Sequence, residues 1–300
     1  MRRAVLTPPG NPMTASEFLP VTLCLLSAVS LATTNVLVKG GGDILTGRMI
    51  VQATAALIVL PLVPFFPMPP LSTLPLLGVS MVSHWFYQAC LIRAMHRGDL
   101  SLVYPVMRGL GPLATAVFAT FLLREHLAPM QQIGLFCASF AILFFALPTA
   151  VTQEGRSLDR RALFWAMLTA VGIGLYAVND TRATRAMPHP MTFVIILFLM
   201  DWIGVTLVFL WQRRGRYMAT IRPQLRSGVI GGIVGCLSYG MAIFAYTMTD
   251  AAMVTALRET SVVFAAVMAA VFLKESFGAR RIVAAAVLAT GLVLMQAGAA

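Results

Sequence analysis

Charge is what this sequence has least of. Only 11% of its 300 residues are Asp, Glu, Lys or Arg, against roughly 25% in soluble domains. So little charge excludes an ordinary water-soluble globular protein. Cysteine is also scarce. Cys24, Cys90, Cys137 and Cys236 all fall inside apolar runs and none form C-x-x-C, which argues against a disulfide framework or a zinc site. Catalytic signatures are absent too. There is no H-E-x-x-H, no G-x-S-x-G and no P-loop, so no enzyme, cofactor or metal is expected. No stretch is long and polar enough to be a nucleotide-binding domain, so ATP-driven transport would need a partner chain.

What the sequence does have is apolar length. Hydrophobic residues make up 59% of the chain, with a mean hydropathy of +0.84. A membrane-crossing helix needs about 20 mostly apolar residues. Ten runs meet this length, near 18–38, 44–63, 71–93, 101–123, 131–147, 162–178, 191–211, 228–248, 251–273 and 282–298. Runs this long are helices, since barrel strands alternate in shorter segments. The expected fold is an all-α membrane protein of ten transmembrane helices. Residues 1–17 form a polar, proline-rich N-terminal tail, with Met13 an alternative start. The run after it lacks a small-residue cleavage site and reads as a retained helix. The loops are short, the longest being 148–161 and 212–227.

The basic excess, 22 Lys and Arg against 11 Asp and Glu, lies mostly in these loops. There it serves topology and contact with the lipid bilayer rather than nucleic acid. Ten spans put both termini on one side. Five basic residues fall on that side and 15 on the other, so the positive-inside rule puts the termini outside the cytoplasm.

The chain also repeats itself. LVYPVMRGLGPLATAVFATFLLREHL (102–127) aligns without gaps with AMVTALRETSVVFAAVMAAVFLKESF (252–277). The alignment sets Arg108 on Arg258, Arg124 on Lys274 and Glu125 on Glu275. The halves are then 18–150 and 151–300, each with five spans. Five is odd, so one half runs inverted relative to the other, a plan of many secondary transporters.

These features together resemble the EamA family of the drug/metabolite transporter superfamily. The residues that carry the likeness are TNVLVK (34–39), the arginine of TGRMIV (Arg48), RGDLSLVYPVMRGLGPLA in the fourth span, and LLREHL and FLKESF closing the fourth and ninth. The resemblance implies an inner-membrane exporter of small metabolites, amino acids first and including the aromatic ones, working by alternating access and driven by protons. It also implies cytoplasmic termini, against the basic-residue count. Rival readings are an antiporter of phosphate-bearing metabolites, and a passive channel or scaffold. The chain would act as monomer or homodimer.

Four charged residues fall well inside spans: Arg108, Asp201, Arg258 and Glu259. Such residues are functional candidates by default. Arg108 shares a helix face with Tyr104, Gly111 and Thr115, and either binds a substrate carboxylate or locks the bundle. Arg258 is its counterpart in the other half. Glu259 points about 100° away from Arg258 around a helix, so it either carries a coupling proton or pairs with Arg108 across the bundle. Asp201 is the other proton candidate, with a buried ion pair as its structural alternative. Tyr87, Tyr239, Tyr176, His84 and Asn35 are the expected polar lining of a substrate cavity.

Overall fold

The computed structural model describes residues 15–97, 100–151, 160–264 and 279–298. Among them are ten α-helices and no strand: α1 (Ala15–Gly40), α2 (Ile44–Val59), α3 (Leu74–Arg97), α4 (Leu100–Leu122), α5 (Pro129–Val151), α6 (Arg160–Ala186), α7 (Pro190–Gln212), α8 (Tyr217–Tyr246), α9 (Ala251–Arg258) and α10 (Ala279–Ala297). Among the described residues, five segments are long and apolar enough to cross a bilayer: Phe18–Asn35, Ile44–Phe65, Arg160–Ala186, Pro190–Gln212 and Tyr217–Tyr246. Val106–Leu122, Pro129–Phe144 and Val283–Ala297 are shorter apolar helices. The outer surface carries large apolar side chains in the open, including Phe121 (77% exposed), Phe140 (62%) and Leu207 (62%). A soluble monomer rarely leaves so much apolar surface bare, whereas hydrocarbon accepts it without cost.

Three sequence expectations need correction. The sixth span does not stop at Val178. Its helix continues to Ala186 and carries Asn179 and Asp180 into the interior. The segment 212–227 is not a long loop, because α8 starts at Tyr217 and Gly215 (φ 76°) makes the tight turn before it. The ninth span is not one helix. After Arg258 the backbone tightens, with Glu259 and Thr260 donating to carbonyls three residues back, and Thr260 Oγ1 also donates to Leu257 O at 2.7 Å. A threonine hydroxyl bound to a nearby carbonyl competes with the regular helical ladder. The FLKESF end of this span and the Lys274 and Glu275 positions of the repeat lie outside the described residues.

Four helix pairs share the longest contacts: α3 with α6, α4 with α6, α1 with α8, and α5 with α10. Small residues allow these approaches. A Cβ on Gly134 of α5 would lie 2.4 Å from Gly291 O of α10, and one on Gly291 would lie 2.7 Å from Gly134 O. Without a hydrophobic drive between helices in lipid, close backbone contact of this kind carries the packing.

Two charged clamps close the helix ends. Glu125, from the LLREHL motif, follows Arg124 in left-handed backbone (φ 57°). Its carboxylate accepts from Arg185 Nη1 at 2.6 Å and from the Ala251 N–H that begins α9 at 3.1 Å. Arg185 also donates to the carbonyls of Tyr246 and Thr249. One ion pair thus ties α6, α8 and α9 to the turn after α4. At the other ends of the helices, Arg213 donates Nε and Nη2 to Asp43 at 2.9 and 3.0 Å. Asp43 caps α2 through Thr46.

Gly134→Ala should lower the thermal unfolding midpoint, by about 1–3 kcal/mol of stability for an overpacked contact. Gly78→Ala, where a Cβ meets nothing within 4 Å, should not lower the midpoint in the same detergent assay, since alanine is the better helix former. A second expectation concerns acid. Partial burial works to raise the Asp43 pKa, but the bonds from Arg213 and Thr46 outweigh it and hold the carboxyl below its ordinary 3.8. A lowered folded-state pKa stabilises at pH above the unfolded value and is lost as pH falls through the folded one. Asp43→Asn should therefore lower the melting midpoint at neutral pH and flatten its fall below about pH 4.

Candidate functional site

Eight helices converge on a cavity of about 150 Å³ whose wall carries both aromatic and charged side chains. The aromatic side chains form a set of interlocking rings. His84 of α3 stacks on Tyr176 of α6, with centroids 4.6 Å apart. Tyr87 meets Tyr176 edge-on at 5.1 Å, and Tyr239 of α8 meets Phe198 of α7 edge-on at 6.3 Å. Edge-to-face and offset contacts are the favoured arrangements for such rings.

Asp180 holds this wall in place. It is fully buried and accepts from three donors: Ser80 Oγ, the Tyr239 hydroxyl, and His84 Nε2 at 2.8 Å. Asn179 Nδ2 adds a bond to Ser83 Oγ at 2.9 Å. The α3–α6 seam is therefore a polar ladder, and Asp180 links it to α8. Sequence reading missed Asp180 because the apolar run stops at Val178 and places it in a loop. The signal present was the helical register. Tyr176 and Asp180 are one turn apart, as are Ser80 and His84.

The two arginines of the repeat are both buried on the cavity wall, each 6% exposed. Arg108 donates Nη1 to Glu259 Oε1 at 3.1 Å, joining α4 to the break after α9. This is the cross-bundle alternative anticipated for Glu259, which stands behind Arg108 rather than on the cavity wall. Arg258 differs. Its Nε donates to Ser27 Oγ at 3.1 Å, and its guanidinium carbon lies 5.0 Å from the Tyr239 ring centre. Among the described residues no carboxylate pairs with it. Ser27 itself is bonded to Ser238 of α8 in both directions, which fixes the oxygen that Arg258 uses.

A second polar corner lies between α2 and α7. Gln52 Nε2 donates to Asp201 Oδ2 at 2.7 Å, and Arg48 Nη1 donates to Gln88 Oε1 at 3.3 Å. Arg48 and Gln52 line the cavity although the sequence suggested neither, Arg48 being set at a span end. Their spacing of one helical turn was the available clue. Asp201 makes no ion pair with an arginine among the described residues.

Arg108, Arg258, Asp201, Tyr87, Tyr239, Tyr176 and His84 are thus brought to one cavity. Asn35 is partly buried on α1 and is not among the residues that line the cavity. The side chain of Tyr104 lies outside the described residues. No group of three or more metal-ligating side chains occurs among the described residues.

If Asp180 anchors the wall, Asp180→Ala should cost about 3–5 kcal/mol, the scale for removing one partner of a buried pair. Tyr239→Phe, which removes one donor of three, should cost about 1 kcal/mol. Thermal unfolding of purified variants orders the two, and equal midpoints would contradict the anchor.

Residues 160–296 match the model of the EamA-like transporter family, membrane transporters of the drug/metabolite transporter superfamily. Among solved structures, one crystal structure is similar over 92% of this chain and 95% of its own, with a TM-score of 0.67 at 15% identity. At that identity the likeness concerns the fold alone. No curated protein matches the chain.

Proposed function

We propose that the chain is a secondary transporter of small carboxylate-bearing metabolites, amino acids first, which it exports across the cytoplasmic membrane by alternating access coupled to protons. The observation that carries this reading is Arg258. It is a buried guanidinium on a cavity wall, seated against an aromatic ring, with no carboxylate partner among the described residues. Such a charge is expensive in hydrocarbon and is retained where an anion uses it. A substrate carboxylate on Arg258, assisted by Arg108, would fit both needs. Tyr87, Tyr176 and Tyr239 would pack the substrate body. Arg108, the first choice from sequence, becomes the supporting cation because Glu259 already neutralises it.

The match of residues 160–296 to EamA-like transporters supports the class. The helix pairing supports two inverted halves, 18–150 and 151–300. If α1 to α5 correspond to α6 to α10, exchanging the halves turns α3·α6 into α8·α1, and both are among the most extensive pairs. The pairs α5·α10 and α2·α7 map onto themselves. Rocking of the two bundles about these seams would expose the cavity alternately to each side.

A second reading, an antiporter of phosphate-bearing metabolites, gains from Arg48 as a third arginine on the wall. The cavity volume disfavours it, since about 150 Å³ is well below the roughly 300–1,000 Å³ of pockets for drug-sized ligands.

Proteoliposomes preloaded with amino acids provide the test. Wild type should move an amino acid uphill when a pH gradient is applied, and Arg258→Gln should reduce that flux at least about tenfold, the loss of one charged hydrogen bond, while remaining monodisperse. Downhill leakage alone would favour a channel, no flux at all a scaffold, and exchange restricted to phosphate esters the antiporter.

A further inference from the structure

Two oxygens between α2 and α7 have no hydrogen-bond partner although both are buried: Asp201 Oδ1 and Gln52 Oε1. They belong to the same pair of side chains, already joined by Gln52 Nε2 donating to Asp201 Oδ2 at 2.7 Å. A carboxylate offers only acceptors, and so does an amide oxygen. An ionised Asp201 therefore leaves two acceptors in the same pair unsatisfied, at a cost of about 1–3 kcal/mol for each. One proton on Oδ1 removes both deficits. It turns that oxygen into a donor, and the acceptor still lacking a donor is the amide oxygen of the same partner.

We infer that Asp201 is the proton-binding site of this protein, its Oδ1–H donating to Gln52 Oε1 to close a two-bond acid–amide ring, and that this is the proton coupled to transport. The coupling half rests on the function proposed above; the protonation half does not. Gln52 is then the positioning residue.

Competing occupants fit less well. Both oxygens are shut off from solvent as they stand, so a proton fits where an ammonium group or metal ion would need room. The described residues contain no cluster of metal ligands. The surrounding charges also leave the acid without a salt bridge. Arg48, on α2, directs Nη1 to Gln88. His84, on α3, is bonded to Asp180 of α6, and Tyr239 of α8 gives its hydroxyl to the same Asp180. Glu259, the other proton candidate, has Arg108 as its counter-ion.

The step balances simply. A proton from water on one side of the membrane neutralises Asp201, and the same proton leaves to water on the other side. No carbon bond changes. Once it leaves, two acceptor oxygens on facing helices oppose each other, and the new carboxylate attracts Arg48 or His84. The α2–α7 seam then no longer favours the same packing, which links charge to conformation.

Infrared spectroscopy of the full chain in lipid nanodiscs, with aspartate labelled by ¹³C at the side-chain carboxyl carbon, tests this directly. The label excludes every glutamate. At neutral pH a carbonyl band of a protonated aspartate is expected. It should vanish in Asp201→Asn, whose amide can still pair with Gln52 and so preserve the fold. It should shift to higher frequency in Gln52→Leu, where the acid loses its acceptor. No protonated band at any pH where the protein stays folded, or a band untouched by Asp201→Asn, overturns the site. Should Asp201→Asn not fold, an unshifted band in Gln52→Leu overturns it equally. In proteoliposomes Asp201→Asn should lose accumulation driven by a pH gradient. A variant that still accumulates substrate uphill overturns the coupling while leaving the protonated acid in place. If wild type itself accumulates no substrate, the function proposed above fails and the coupling fails with it, and the infrared result stands apart from both.

Discussion

Hydrocarbon supplies no partner to a polar group, so every charge this chain carries into its interior must be answered by the chain itself, a proton or a substrate. That constraint organises the bundle. Asp180 gathers donors from α3 and α8 onto α6. Glu259 draws Arg108 across from α4. Each buried charge names the helices that have to meet, and the apolar residues between them pack wherever those meetings allow.

The charges are answered to different degrees, and the differences have meaning. Asp180 has three donors and no free acceptor of note, which suits a fixed wall. Arg108 and Glu259 satisfy each other, leaving Glu259 Oε2 without a partner. Arg258 has a serine oxygen and a ring face but no counter-charge among the described residues. Asp201 has half of an amide. Two of the incompletely answered charges, Arg258 and Asp201, stand on the cavity wall, where a ligand or a proton can reach them.

Much of this was legible in the residue order. Each of the ten apolar runs holds a helix among the described residues, the ninth one only in part, and seven candidates chosen for polarity inside those runs share one cavity wall. The misses have a common cause. Asp180 and Arg48 lie at the edges of apolar runs, and hydropathy cannot tell a helix that leaves the membrane from one that continues as part of the protein interior. Gln52 is uncharged, so a survey of intramembrane charge passes over it. The break after Arg258 is marked by a few backbone bonds and one threonine hydroxyl, which no average over about 20 residues can register.

What the sequence determined by itself is the solvent and the inventory. Composition demands a membrane, run length demands helices, and two arginines 150 positions apart demand compensation. Only the tertiary structure decided who compensates whom. Arg108 and Arg258 occupy equivalent places in the repeat, and one faces a carboxylate while the other faces a tyrosine ring and a serine. Pairing is a property of distance between helices far apart in the chain, and a residue's local pattern carries no information about which distant helix arrives beside it.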